Sequence, residues 1–497
     1  MEKAYRLTFD FGSGSVKTVL SDRMQNVVGN CSVSYETYYP RLGWALQKPE
    51  TYWMAMQEGI RTVLQQSGVA PIDIAGIAIS QTASTIIFVD EEGNALSDCV
   101  MWMDGRAEAQ AQQINAKLGE NRFGGKKVIS KLLWFLQNEP ELIERSSYML
   151  DVSGYLFHKL TGEFVYEFTC GRSTCLMDVE TRQWDDAMFQ LIGFPKRLIP
   201  ARLVDSTGLV GCVTDAAAKA LGLVAGIPVF GGCSDHATAH LGTGCIHPGD
   251  AHIYIGTSAW LQVTTSAEKM GRGQMPSPVP DLWYHFYDTD TGGACLDYLI
   301  STFYAKELEA GMDAFRTMNE EIKSVQERGN DEKLIFLPFL TGASAPISNT
   351  AFRAALLNLK RNTTRRHISR AVMEGVCFNL RWMRDIHVEK NGWNVNFLRG
   401  IGGGMQSSVF AQTLADVLQF PITPLKNSRF AGNLGLAACI DVGLGLLPGL
   451  WAIDNNICVD ETVQPRPETA ARYDHMYQMY RKSYYALSDI YQELNGN

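Results

Sequence analysis

Residues 5–20 read YRLTFDFGSGSVKTVL: Tyr5, Leu7, Phe9 and Phe11 alternate, a cluster of glycines and serines follows, and Val16, Thr18 and Leu20 resume the alternation. A period of two calls for strands and the small residues between them call for a turn, so the segment predicts a β-hairpin. The pattern returns in AHIYIGTSAWLQVTT, where Ile253 and Ile255 run into Gly256-Thr257-Ser258 and Ala259, Leu261 and Val263 resume. Gly12 and Gly256 stand 244 positions apart, about half of the 497-residue chain. Two domains are therefore expected, each opening on a hairpin with a small, hydroxyl-bearing turn.

The intervening segments change character repeatedly. Ile74–Ser80 and Ile227–Phe230 read as strands, the latter before a Gly231-Gly232 turn, and helical periodicity marks Thr51–Gln65, Lys131–Asn138 and Ile368–Ile386. The class is α/β. Val395–Gly400 reads as a further strand, Gly402-Gly403-Gly404 as a turn, and Phe410, Leu414, Val417 and Leu418 as one face of a helix. The boundary is expected near His247-Pro248-Gly249, giving domains 1–247 and 248–497.

A net charge of −9 leaves no basic footprint for a nucleic-acid backbone. The start MEKAYRLTFDF has no apolar run of signal-peptide length, and the most apolar stretch, Leu434 to Ile453, is broken by Asp441, Pro448 and glycines. A cytoplasmic protein without a membrane span is expected, with a buried helix and a loop in that stretch. Eleven cysteines without a C-x-x-C pair read as reduced thiols. The basic run Lys360 to Arg370 reads as a solvated helix start.

The glycine turns at Gly12, Gly256 and Gly402 can present backbone N–H groups to phosphates. Neither dinucleotide motif fits: Gly12-Ser13-Gly14 leads to Lys17 where a third glycine belongs, and Gly125-Lys126 lacks the rest of a Walker loop. Asp10 at the mouth of the first turn would repel a triphosphate unless a divalent ion lay between them; the plainer reading is a turn hydrogen bond. Lys17 either reaches the transferring phosphate or is an exposed strand residue. Asp235, after a strand and at the start of an Ala-rich helix, fits either a helix cap or a general base that takes the proton from an attacking hydroxyl. His236 and His240, four apart, read as satisfied polar contacts rather than a metal pair. Gln81 and Asp104 can meet vicinal hydroxyls, Arg106 can fix its loop, and Trp102 can cover the apolar face of a sugar.

Taken in order, DFGSGS from Asp10, Trp102-x-Asp104-x-Arg106, KLLWFLQNEPE from Lys131, LTGE from Leu160, GGCSDH around Asp235, PGDAHIYIGTS ending at Ser258, FLPFLTG from Phe336, RAVMEGV from Arg370 and GIGGGMQS from Gly400 resemble the FGGY carbohydrate kinases, closest to their xylulokinase-like branch. The resemblance spans nearly the whole chain. It implies two domains of actin-like ATPase (ribonuclease H-like) fold with ATP and a sugar meeting in a cleft. It matches Asp10 to a Mg²⁺-associated acid, Gly12, Ser13, Gly14 and Ser15 to the first phosphate turn with Lys17 beside it, and Gly256 and Thr257 to the second. Gly402, Gly403, Gly404 and Gln406 match the adenosine side, Asp235 the catalytic base, and Gln81, Trp102, Asp104 and Arg106 the sugar site.

Departures gather around the sugar. Ser80-Gln81-Thr82-Ala83-Ser84 stands where xylulokinases have G-Q-M-H-G, so Ala83 replaces a histidine; Gly342 to Pro346 and FRAALLNL from Phe352 also depart. The resemblance thus implies ATP-dependent phosphorylation of a ketose or related polyol, D-xylulose first. A ribulose, a fuculose-like ketose or a tetritol are alternatives, as is, more remotely, an actin- or chaperone-like ATPase. A homodimer is the assembly to test.

Overall fold

The opening hairpin is formed by β1 (Tyr5–Phe11) and β2 (Ser15–Ser21), which pair antiparallel with Phe11 opposite Val16 and Asp10 opposite Lys17. The protein is described from a computed structural model covering residues 4–266, 274–327, 332–392 and 394–496. Its chain divides into two units. The first comprises Met1–Gly244, Pro276–Pro280 and Gly432–Asn456; the second comprises Cys245–Met275, Asp281–Ala431 and Ile457–Asn497.

In the first unit, β3 (Val27–Ser34), β4 (Ile74–Gln81), β5 (Leu209–Cys212) and β6 (Pro228–Ser234) complete a six-stranded sheet ordered β5-β6-β4-β1-β2-β3. β4 lies parallel to both β1 and β6. All of β4 is buried, as an apolar strand covered on both faces must be. Helix Pro49–Ser67 packs on one side with Tyr52, Met56, Ile60 and Val63 turned to the core. Helix Ala431–Gly443 also contributes here: Leu436 and Ile440 pack on Ala78 and Phe230, and Arg6 Nε donates to Asp441 at 2.6 Å. That helix is the buried one expected in Leu434–Ile453.

The second unit repeats the plan. β7 (Asp250–Ile255) and β8 (Ala259–Ser266) form the other hairpin, with Ile255 opposite Ala259, and β9 (Gln274–Pro276), β10 (Leu282–Thr289), β11 (Phe397–Ile401) and β12 (Thr423–Pro424) give the order β9-β10-β8-β7-β11-β12. β7 is parallel to β11 as β1 is to β4. The recurrence inferred from one turn extends to a whole strand arrangement. Helix Arg365–Asn391 buries Val372, Val376, Leu380 and Met383 in this unit's core.

Two local expectations change. Gly231-Gly232 is no turn: β6 continues through both glycines to Ser234, with one extra residue against β4 between Phe230 and Cys233. Gly232 sits at φ +60°, and a Cβ there would lie 2.0 Å from the carbonyl oxygen of Ile79. Only glycine fits this bulge. The basic run, read as solvated, begins a helix at Arg365, but Arg365 pairs with Glu307 and Glu321, and the buried Arg370 pairs with Glu374.

Among the described residues, no helix is long and apolar enough to cross a membrane.

Candidate active site

Parallel strands end on the same side, so the register of β1, β4 and β6 decides which side chains share the carboxyl edge of the first sheet. Asp10 lies opposite Ser80, Phe11 opposite Gln81, and Ser234 opposite Gln81 on the other side. Asp10 and Asp235 therefore sit at the ends of strands separated by β4 alone, and each remains partly open, with 16% and 25% of the side chain exposed. In α/β sheets this edge is where ligands bind.

Helix Asp235–Gly242 begins directly at Asp235, and the Ser234 side chain makes no capping bond. Asp235 Oδ1 accepts the His236 N–H at 3.0 Å, with His236 Nε2 3.7 Å away. Surrounding protein raises the Asp235 pKa by desolvation; His236 pulls it down and the Asp10 charge pushes it up. A carboxylate held this way is a better proton acceptor than an ordinary surface aspartate.

The Gly12–Ser15 turn is pinned through its carbonyls. Tyr35 Oη donates to Gly12 O at 2.6 Å, Gln47 Nε2 to Ser13 O at 2.6 Å, and the Tyr35 N–H to Gly14 O at 3.0 Å. With its acceptors engaged on one side, the turn keeps the shape of an anion-binding concavity. Lys17 Nζ stands 3.3 Å from Asp10 Oδ2, so both alternatives weighed for Lys17 are modified: it is a quarter exposed and paired with the strand-end acid.

The sugar-site candidates separate into two kinds. Trp102 is half-buried, and its Nε1 donates to Ser13 Oγ at 2.9 Å, joining the 101–107 loop to the turn. Asp104 is fully buried instead of open to a hydroxyl: Oδ1 accepts from Arg106 N and Nε, and Oδ2 from Arg106 Nη2 and the Ala45 N–H. The Arg106 guanidinium lies 3.5 Å over the Trp44 ring. Gln81 is likewise buried, its Oε1 accepting from Val152 N–H and Thr85 Oγ1. Asp104 thus has both carboxylate oxygens engaged within the fold and with Arg106 holds the loop that carries Trp102, whereas Gln81 Oε1 is bonded to Val152 and Thr85.

Sequence reasoning missed Lys131 as part of this loop. Wholly buried, Lys131 donates to Met101 O at 2.7 Å, and burial lowers its pKa to about 7. Only its place in a strongly apolar helical run, Val128–Asn138, signalled it.

In the second unit, Gly256, Thr257, Gly403, Gly404 and Gln406 line one cavity of about 820 Å³. The N-terminus of helix Gly293–Phe303 is stitched to the hairpin turn by Gly293 N–H to Gly256 O at 2.7 Å and Ala294 N–H to Thr257 O at 3.0 Å. Gly402, at φ +92°, does not line the cavity; a Cβ there would meet Ile255 O at 2.4 Å, so it brings β11's end against β7. Gly403 has open space around it. Phe315, Asn319 and Lys323 also line the cavity from Ala314–Glu327, missed because four-residue spacing on a helix carries no chemical motif by itself.

Comparison with known proteins matches the chain in two consecutive segments. Residues 5–242 match the N-terminal domain of the FGGY family of carbohydrate kinases, and residues 251–440 match its C-terminal domain. The chain belongs to the FGGY family of carbohydrate kinases. A curated xylulose kinase of Lactococcus lactis subsp. lactis (strain IL1403) is 27% identical over 99% of this chain and 98% of its own. The ligand-bound xylulose kinase of Lactobacillus acidophilus superposes with a TM-score of 0.85 at 23% identity, covering 99% of both chains. The gluconate kinase of the same organism reaches 0.83 at 23% identity, again over 99% of both. This FGGY kinase therefore has the two-domain, actin-like α/β fold expected from its motifs.

Proposed function

We propose that this FGGY kinase moves the γ-phosphate of ATP to a hydroxyl of a ketose or related polyol, with D-xylulose the first acceptor to test. The observation that carries the reading is Asp235: a partly open carboxylate at a strand end, raised in pKa and sharing that edge with Asp10. Asp235 takes the proton from the acceptor hydroxyl as its oxygen attacks the γ-phosphorus. The apolar face of Trp102 holds the acceptor together with Gln81, and Asp104 and Arg106 keep the Trp102 loop in register.

The N–H groups of the Gly12–Ser15 turn and the ammonium of Lys17 meet the charge on the transferring phosphoryl group. Gly256, Thr257, Gly403, Gly404 and Gln406 bind the nucleotide in the 820 Å³ cavity, and Gly402 supports that turn from behind. No three His, Cys, Asp or Glu side chains gather as a metal cage among the described residues. The partly open strand-end carboxylate of Asp10 fits Mg²⁺, which favours one or two carboxylates with phosphate oxygens and waters. Bound there, the cation would neutralise phosphate charge.

A carboxylated acceptor is the second reading, favoured by Lys126, whose ammonium lies 5.7 Å from the Trp102 ring. The compartment is the cytoplasm, a homodimer is the assembly to test, and the sequence boundary between the domains falls at residue 247. The test is kcat/KM with ATP across D-xylulose, ribuloses, 6-deoxyketohexoses, tetritols, glycerol and gluconate, with ATP hydrolysis measured without acceptor. A ketopentose at the head of that ranking supports the reading. Gluconate at its head transfers the assignment to carboxylated sugars, and no acceptor above background contradicts the kinase reading.

A further inference from the structure

β6 bulges between Phe230 and Cys233, shortly before Asp235, and N–H groups there and at Ser234 are bonded outside β4. Gly231 N–H donates to Gly208 O at 3.0 Å and Gly232 N–H to Ser206 O at 2.9 Å. Ser234 N–H, one residue before Asp235, donates to the side chain of Thr169 at 2.8 Å. Thr169 Oγ1 in turn donates to Glu167 Oε2 at 2.6 Å, while Glu167 Oε1 accepts from Ser206 Oγ at 2.8 Å. Glu167, Thr169, Ser206 and Ser234 are all buried.

A threonine hydroxyl has one proton. Because that proton is committed to Glu167, the lone pairs of Thr169 are left for the Ser234 N–H. Glu167 also accepts the Cys170 N–H at 3.0 Å, which caps the short helix Phe168–Arg172. Capping accounts for that bond alone and not for the bonds from Thr169 and Ser206. Burial costs this carboxylate enough to lift its pKa to about 7, so its retention in the core calls for more than a cap.

We infer that Thr169, oriented by Glu167, is a positioning residue that fixes the aim of Asp235. The inference rests on the reading of Asp235 as the proton acceptor. A bulge gives β6 freedom to bend, and the Thr169–Ser234 bond removes that freedom immediately before the reacting carboxylate. Misplacement of a reacting group by an ångström lowers turnover without changing how tightly either substrate is held.

The experiment compares Thr169→Val, Thr169→Ser and Asp235→Asn, each alone, and the Thr169→Val/Asp235→Asn double variant. Thr169→Val should lower kcat roughly 10- to 100-fold while both KM values stay within about twofold of wild type, because the loss lies in geometry and not in binding. Thr169→Ser keeps the hydroxyl and should restore most of kcat. In the Asp235→Asn background, Thr169→Val should add almost nothing. Wild-type kcat in a folded Thr169→Val overturns the inference, as does a further fall in the double variant or an equal loss in Thr169→Ser. If Thr169→Val fails to fold, Ser206→Ala tests the same chain from its far end and should lower kcat several-fold at unchanged KM; unchanged kcat overturns it. An active Asp235→Asn contradicts the underlying reading, whereas an inactive Asp235→Asn beside a normal Thr169→Val contradicts this inference alone.

Discussion

Trp102 Nε1 donates to Ser13 Oγ at 2.9 Å, so the side chain read as covering a sugar is bonded to the turn read as holding a phosphate. With one lone pair of Ser13 engaged by Trp102, its proton is free to turn toward an anion. The loop behind Trp102 is held by Lys131 and by the Asp104–Arg106 pair, which makes the contact a fixed one.

Trp102→Phe keeps the aromatic face and removes the N–H. It should lower kcat roughly 2- to 13-fold, the value of one hydrogen bond of about 0.5–1.5 kcal/mol, while leaving acceptor KM nearly unchanged. Trp102→Ala, which removes the face as well, should raise acceptor KM. Steady-state kinetics of the two variants check this, and wild-type kcat in Trp102→Phe would count against the contact.

Gly402 and Gly403 should behave oppositely although they are neighbours. Gly402→Ala places a Cβ 2.4 Å from Ile255 O at a φ of +92° and should destabilise the fold by about 1–3 kcal/mol. Gly403 has no heavy atom within 4 Å of an added Cβ, so Gly403→Val should fold normally and raise the KM for ATP by filling the cavity. Thermal unfolding and nucleotide calorimetry separate the two effects.

Much of the fold was legible. Alternation around Gly12 and Gly256 located both hairpins, and the periodicities of 51–65, 131–138 and 368–386 located three helices. The Gly231-Gly232 bulge was read as a turn because glycine marks both, and only the partner strand tells them apart. For the site, Asp10 and Asp235 were found as strand-end acids. The engagement of Asp104 by Arg106 and Ala45 was not visible, since a short acid–base motif reads the same whether it faces a ligand or its own loop. Glu167 and Thr169 gave no signal at all, because their partners Ser206 and Ser234 are distant in sequence.

Burial holds the Glu167 pKa near 7 against an ordinary value of 4.5. Between those values the unfolded chain has released this proton while the folded chain retains it, so the contribution of Glu167 to stability is present below about pH 4.5 and lost as pH rises through about 7. Glu167→Gln does not titrate. The melting temperature of wild type minus that of Glu167→Gln should therefore fall across this window, whatever constant offset the altered bonds add, and a flat or rising difference would contradict the assignment.

Asp235→Asn is the most direct test. The amide keeps the shape of the carboxylate at the end of β6 but cannot accept the proton of the acceptor hydroxyl, so acceptor-dependent ATP turnover should fall about 10²–10⁴-fold while the fold and ATP affinity persist. Turnover at the wild-type rate in a folded Asp235→Asn would contradict the account.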